Sequence, residues 1–335
     1  MTKPRKVTLS DVAQSARVSA TTASYILNGR SVEMRIAPET EARVRVAAAE
    51  LGYRPNRAAR SLRTKRTATV GLISDFIAGG HFSSQLLTGA CAAARASDHL
   101  VVIGETGGDG PVEDLLIDEM LDRQVDGIIV ATRTALRITV NPRLAGVNTV
   151  LLNCIDLASQ IPAVLPDDAA GGATAAGLFL DAGLTDGIWV VGEDPVPNAV
   201  AGSLRLAGVH TRLAQAGVAL AGVVPCDWEV VAAYDAVTAW LASGVRPRGL
   251  VCLNDRISMG AYQALAEHGL DVPRDVSVVS FDASDLSTWL RPRVTSVELS
   301  FAELGARAID LLLTDPPAGT VVRLPMPVRH GDSIC

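Results

Sequence analysis

The chain has 335 residues, 48% of them hydrophobic but only 4% aromatic, enough for two or three structural units with mainly aliphatic cores. No run of about 18 uninterrupted apolar residues occurs, so no transmembrane helix is expected. The formal net charge of −6 hides an asymmetry: residues 1–66 carry 14 Lys/Arg against 5 Asp/Glu, and residues 67–335 carry 16 against 31, so a basic head suited to a polyanion precedes an acidic body.

Lys3, Arg5 and Lys6 are followed by no apolar signal segment, because Asp11, Gln14 and Arg17 interrupt it. The expected location is therefore the cytoplasm. Residues 8–16 read as a short helix, capped by Thr8 or Ser10 and favoured by Asp11 at the positive end of its dipole. Val12, Ala13 and Ala16 share one face. Arg17-Val18 makes a tight turn, Ser19 caps a second helix over 20–27, and Asn28-Gly29 stops it. Two short helices joined so tightly match a helix-turn-helix, whose second helix enters the major groove of DNA. A third helix starts near Pro38 and ends at Gly52. Its Val44, Ala47, Ala48 and Leu51 follow the spacing of one helical face. Asn56 caps a further short basic helix over 57–63, too short to be stable alone, with Leu62 suited to a minor-groove wedge that orders on binding. A solvated linker with Leu62 tucked on a neighbour is the alternative.

From residue 68 onward, short apolar runs alternate with helical stretches. Strands are expected at 69–74, 100–104, 127–131, 149–153, 188–192, 250–253 and 276–281. Helices are expected at 83–96, 112–123, 169–182, 199–216, 229–242, 256–268 and 301–313. Continuously apolar strands mark a parallel sheet covered on both faces, and the alternation reads as two doubly wound α/β lobes. Residues 104–110 are Gly-rich but lack phosphate-loop spacing, and a flexible surface turn is expected there. No GxGxxG follows a strand, no GxSxG elbow occurs, and the five histidines lack metal-ligand spacing. An enzyme, a cofactor and a metal site are therefore not expected. Cys91, Cys154, Cys226, Cys252 and Cys335 form no CxxC pair, and reduced core thiols are expected.

The ordered run Thr8-Leu9-Ser10-Asp11-Val12-Ala13, Val18-Ser19, Thr22, Ser24, Leu27-Asn28, Leu51-Gly52-Tyr53-Arg54-Pro55-Asn56 and Ala59-Arg60-Ser61-Leu62-Arg63-Thr64 resembles the LacI/GalR family of bacterial transcriptional repressors. The resemblance continues through Arg205-Leu206-Ala207-Gly208, Leu253-Asn254-Asp255 and Phe281-Asp282. It implies a homodimer whose helix-turn-helix heads bind a pseudo-palindromic operator in double-stranded DNA. Behind each head it implies a periplasmic-binding-protein-like body with a small-molecule effector, a sugar or nucleoside, in its cleft. By that resemblance Ala20, Thr21 and Tyr25 face operator bases. Thr8, Ser19, Thr22, Ser24 and Asn28 hold phosphates, Tyr53, Asn56, Arg57, Ala59 and Arg60 belong to the same surface, and Leu62 inserts at the central step. Arg17 stands where the family usually has Gly, and if the turn needs positive φ it costs about 1 kcal/mol, offset by a phosphate contact. Tyr25 replaces a frequent base-reading Arg, so the half-site differs. The loop 30–36 is longer than usual, and no heptad tail for tetramers is expected.

The implied division is 1–53 for the head, 54–67 for the hinge, and 68–335 for the effector-binding and dimerisation body. Lobe 1 takes 68–166 and 296–321, and lobe 2 takes 167–295 and 322–335. Crossovers are expected near Pro166, Thr295 and Val321. Beyond the strand ends, where such sheets bind ligands, fall Asn153, Asn254 and Asp282. Asp282 suits hydroxyl donors, a turn residue being the alternative. Arg205 can clamp vicinal oxygens or make a salt bridge between lobes. Asn254 can bond a ligand or cap a helix, Trp228 can stack on a sugar or fill a core, and Phe82 and Ser83 are placed on the opposite lobe. A solute-binding protein of a transport system is the alternative function.

Overall fold

The computed structural model describes residues 7–53, 66–75, 81–158 and 160–335. It divides into two compact units, 1–67 and 68–335. The expected contact residues Asn56, Arg57, Ala59, Arg60 and Leu62 lie outside the described residues, as do the side chains of Phe82 and Ser83.

The first unit holds α1 (Leu9–Ser15), α2 (Ala20–Leu27) and α3 (Pro38–Glu50). Thr8 caps α1 through a reciprocal box: its Oγ1 accepts from Asp11 N at 3.3 Å, and Asp11 Oδ2 accepts from Thr8 N at 2.8 Å. Ser19 Oγ accepts from Thr22 N at 3.0 Å and starts α2. Arg17 between them has φ +53, so the turn does require the left-handed region. Gly29, φ +74, ends α2. Val12, Ala13 and Ala16 meet Ala23, Ile26, Val44, Ala47 and Ala48 in one small core. Arg43 Nε donates to the Ala16 carbonyl at 2.9 Å and ties α3 to the turn.

The second unit holds two six-stranded sheets among the described residues. The first contains β1 (Thr69–Ser74), β2 (Leu100–Glu105), β3 (Gly127–Ile138), β4 (Thr149–Asp156), β5 (Ala163–Pro166) and β11 (Val321–Leu324), in the order β11-β5-β4-β3-β1-β2, all parallel. The second contains β6 (Ile188–Val191), β7 (Gly222–Val224), β8 (Gly249–Cys252), β9 (Ser277–Asp282), β10 (Thr295–Glu298) and β12 (Val328–Arg329), in the order β12-β10-β9-β8-β6-β7, with only β12 antiparallel. Helices α4 (His81–Ala96), α5 (Gly110–Asp122) and α11 (Phe301–Leu313) belong to the first sheet's lobe. Helices α6 (Asp168–Asp181), α7 (Ala201–Gln215), α8 (Val230–Ala242), α9 (Asp255–Glu267) and the short α10 (Asp285–Trp289) belong to the second.

The chain passes between lobes after Pro166, after Glu298 and after Leu324. Strand β10 pairs with β9 as far as Glu298, and β11 pairs with β5 as far as Leu324, before the chain leaves each sheet. Strand β3 runs on to Ile138 through an irregularity between Ala131 and Leu136, beyond the expected end at 131. The Gly-rich segment is not merely a turn: Asp109 Oδ1 accepts from Val112 N at 3.2 Å and caps α5. Of the cysteines, Cys154, Cys226 and Cys252 are buried, but Cys91 and Cys335 are exposed rather than in a core. Among the described residues no helix is long and apolar enough to cross a membrane.

One close helix crossing positions the site. A Cβ on Gly172 of α6 would meet the Arg205 carbonyl oxygen at 2.0 Å, and one on Gly208 of α7 would meet the Ala169 carbonyl oxygen at 2.0 Å. Only glycine lets the two backbones approach this closely, and that approach brings Arg205 against Asp168.

Candidate functional site

In the body, a cleft of about 270 Å³ opens at the carboxyl ends of the strands and is lined from both lobes. Arg133, Thr134, Ala135, Asn153 and Phe301 contribute from one side, and Asp168, Arg205, Trp228, Asn254, Arg256 and Asp282 from the other. Five of the six expected effector residues therefore come together, and the side chain of the sixth, Phe82, is not described.

Among the described residues, Arg205 is the largest fully buried side chain. Its Nε donates to Asp168 Oδ1 at 2.8 Å, and its Nη1 donates to the Leu253 carbonyl and stands 4.0 Å from Asp282 Oδ1. The guanidinium also lies 4.5 Å from the Phe281 ring centroid and 5.2 Å from that of Trp228. Its salt bridge is thus internal to one lobe, not a link between lobes. A cation held by a carboxylate, a carbonyl and two rings is preorganised to present donors to a ligand.

Asp282 ends β9 with φ +94 and is followed by Ala283 at φ +50. Two successive left-handed non-glycine residues need support from their surroundings. Asp255 supplies it: its Oδ2 accepts from Ser284 N at 2.6 Å and Ser284 Oγ at 2.8 Å, and its Oδ1 accepts from Ser296 Oγ at 2.9 Å. Ser296 Oγ in turn accepts from Ala283 N at 2.9 Å. The result aims the Asp282 carboxyl at the cleft. Burial pushes its pKa up to about 7; Arg205 opposes the rise, and the neighbouring Asp255 adds to it.

Asn254 works as a helix cap. Its Oδ1 accepts from Ile257 N at 2.7 Å and starts α9, while its Nδ2 donates to the Trp228 carbonyl at 3.3 Å. Trp228 is half-buried; its indole N–H donates to the Glu193 carbonyl, which leaves a ring face along the cleft. Asn153, φ +59, donates through Nδ2 to the carbonyls of Thr132 at 3.0 Å and Arg133 at 3.1 Å. It thereby fixes the irregular part of β3 that brings Arg133 to the opening.

In the head, Ala23 and Ile26 turn inward, Ala20 and Thr21 lie exposed on α2 with Tyr25 half-exposed, and Asn28 lies exposed at its C-terminal cap. Thr22 Oγ1 and Ser19 Oγ are 2.8 Å apart, and Asn28 Nδ2 donates to the Ser24 carbonyl at 2.6 Å. Of the hydroxyls expected to face phosphate, those of Thr8 and Ser19 build the N-caps, while that of Ser24 accepts from Asn28 Nδ2 at 3.3 Å. Tyr53 is half-buried against the three-helix core, and its N–H donates to the Ala48 carbonyl at 2.9 Å.

Residues 8–56 match the family described as bacterial regulatory proteins, lacI family, and residues 176–334 match the periplasmic binding protein-like domain. The catabolite control protein A of Priestia megaterium is 30% identical, with 98% of this chain and 99% of that protein covered. The chain belongs to the lacI family. The ribose operon repressor of Haemophilus influenzae is 28% identical over 91% of each chain. The Lac repressor dimer bound to operator and the anti-inducer ONPF has the same fold as this lacI-family chain, with a TM-score of 0.79, 24% identity and coverage of 99% of this chain and 100% of that one.

Sequence reasoning missed Asp168, Arg133 and Arg256 in this lacI-family cleft. Asp168 follows the helix cap Asp167, and two adjacent acids before a helix read as capping alone. Arg133 reaches the cleft only through the irregular strand. Arg256 follows the cap Asn254-Asp255; its Nη1 lies 3.2 Å from Glu229 Oε1, while its buried Nε has no hydrogen-bond partner.

Proposed function

We propose that this protein is a homodimeric repressor of transcription in the cytoplasm that binds a pseudo-palindromic operator through its heads and is controlled by a sugar or nucleoside in the cleft. It is not an enzyme in this reading. The observation that carries the proposal is the collinear pairing of a helix-turn-helix with an exposed second helix and a two-lobed body whose cleft is lined by Arg205, Asp282 and Trp228. In the head, Ala20, Thr21 and Tyr25 would face bases, and Thr8, Arg17, Ser19, Thr22, Ser24 and Asn28 would lie at phosphates. Asn56, Arg57, Ala59 and Arg60 would extend that surface, with Leu62 as the wedge.

Dimerisation is supported by an apolar face on the first lobe. The edge strand β2 exposes Leu100, Val102 and Ile103, and α5 exposes Val112 and Leu115. A monomer gains nothing from such a face, and an unpaired edge strand invites a partner. A dimer sets two heads at a fixed spacing along DNA. A ligand that bridges Arg205 and Asp282 in one lobe and Asn153 and Arg133 in the other favours one lobe arrangement, and it acts only through its different affinity for the two states.

The test is a gel shift with the DNA upstream of the gene, with and without a panel of sugars and nucleosides chosen by thermal shift. Specific retardation that one compound changes supports the proposal. A body that binds a sugar while the full chain ignores DNA would instead favour a solute-binding protein.

A further inference from the structure

Tyr25 is half-exposed on α2, outside the buried pair Ala23 and Ile26. A tyrosine cannot make the two parallel hydrogen bonds by which arginine grips guanine. The structure places an arginine beside it. Arg30 Cζ lies 5.1 Å from the Tyr25 ring centroid, over the ring, and Arg30 N donates to the Tyr25 carbonyl at 2.9 Å. Its guanidinium fork is taken by Glu33: Nε donates to Oε2 at 2.7 Å and Nη2 to Oε1 at 2.5 Å.

The loop that presents Glu33 is itself ordered by backbone bonds. Met34 N donates to the Arg30 carbonyl at 3.0 Å, Arg35 N to the Val32 carbonyl at 3.1 Å, and Ile36 N to the Ser31 carbonyl at 2.9 Å. Arg35 takes φ +51 to close this turn. The loop so ordered places one carboxylate against one arginine just beyond the end of α2.

The pair is poised for exchange. The side chains of Arg30 and Glu33 are 42% and 60% exposed, and ion pairs this open contribute little to stability. A duplex brings dense negative charge, which repels Glu33 and attracts Arg30. The two donors now held by the carboxylate match the two acceptors, O6 and N7, on the major-groove edge of guanine. The Tyr25 ring keeps the guanidinium plane oriented while its partner changes.

Resting on the operator-binding role above, we propose that Arg30 is a base-reading residue that recognises a guanine in each half-site, with Tyr25 as its platform and Glu33 as its partner away from the correct sequence. Glu33 then also supplies a repulsive element: where no guanine is within reach, Arg30 stays with Glu33, and the complex is weakened.

The experiment is selection from a random duplex library by the full-length wild type, Arg30→Ala, Arg30→Gln and Glu33→Gln, each first shown by thermal melting to keep a folded head. The wild type should enrich a symmetric motif with one guanine per half-site whose replacement weakens binding about tenfold or more. Arg30→Ala should lose that preference and keep the rest of the motif, and Arg30→Gln should lose it or move it to adenine. Glu33→Gln should keep the motif but bind unrelated duplex several-fold more tightly. If both Arg30 variants enrich the wild-type motif unchanged, the proposal is overturned. A merely uniform loss of affinity, with the salt slope reduced by about one per head, would make Arg30 a phosphate contact and overturn it too. A wild type that enriches no motif would refute the operator-binding role itself, a separate result.

Discussion

Arg205 Nε and Asp168 Oδ1 are 2.8 Å apart, and both side chains are 1% exposed. This pair joins α6 to α7 under the cleft and holds the guanidinium beside Asp282. Its partners come from helix positions that approach only because Gly172 and Gly208 carry no side chain.

Removing either charge strands the other in the interior. Arg205→Ala and Asp168→Asn should each destabilise the body by about 3–5 kcal/mol. The double variant should lose clearly less than the sum of the two, because the uncompensated charge is gone. Chemical denaturation of the body, residues 68–335, measures all three.

Gly172→Ala should act on the same pair from behind. The new methyl has no room beside the Arg205 carbonyl, so the helices must separate at a cost of about 1–3 kcal/mol. Ligand affinity should fall in parallel with little change in DNA binding, as read by calorimetry and a gel shift on one preparation.

Asp282 gives the site a pH signature. Its folded pKa of about 7 lies above the roughly 3.9 of an unfolded aspartate. Between those values the folded state holds more protons than the unfolded state, so this group lowers stability as pH rises from about 4 to 7. Asp282→Asn should therefore gain on the wild type across that window, by up to a few kcal/mol. A hydroxylated ligand that donates to the carboxylate favours its ionised form, so affinity should fall as pH drops below 7, with a proton released on binding there. Thermal melts and calorimetry in buffers of different ionisation enthalpy test both signs.

The left-handed Arg17 makes a separate prediction. Arg17→Gly should relieve up to about 1 kcal/mol of backbone strain and raise the melting temperature of the head. If Arg17 also holds a phosphate, the same change should flatten the salt dependence of DNA binding by about one charge per head.

Leu115→Lys or Ile103→Lys should make the body monomeric by placing charge on the apolar edge of the first lobe, and operator affinity should drop with it. Sedimentation equilibrium and a gel shift check the two effects together.

The sheets were legible where strands are buried on both faces, as in β1, β4, β8 and β9, because a continuous apolar run has no other ready explanation. The strands β5, β7, β10, β11 and β12 were not: β7, β11 and β12 lie at sheet edges with exposed or half-buried positions, and β10 is mostly polar in sequence, so none of these four shows a long continuous apolar run. In the cleft, Asn153, Arg205, Trp228, Asn254 and Asp282 could be named because the strand ends and the family motifs mark them. Asp168 and Arg256 could not, because their place depends on how two helices and two lobes meet. Asn254 shows the converse: its position was legible, but both ends of its carboxamide are engaged by the protein. The partnership of Tyr25, Arg30 and Glu33 lay in plain sequence, yet only the folded loop brings it together.

The most direct measurement is the dissociation constant of the full chain for its upstream DNA, with and without a saturating sugar or nucleoside that stabilises the body. The bound compound should change the constant about 5- to 150-fold, and the change should disappear in Asp282→Asn. An identical constant in both conditions, with ligand demonstrably bound in the cleft, would contradict this expectation.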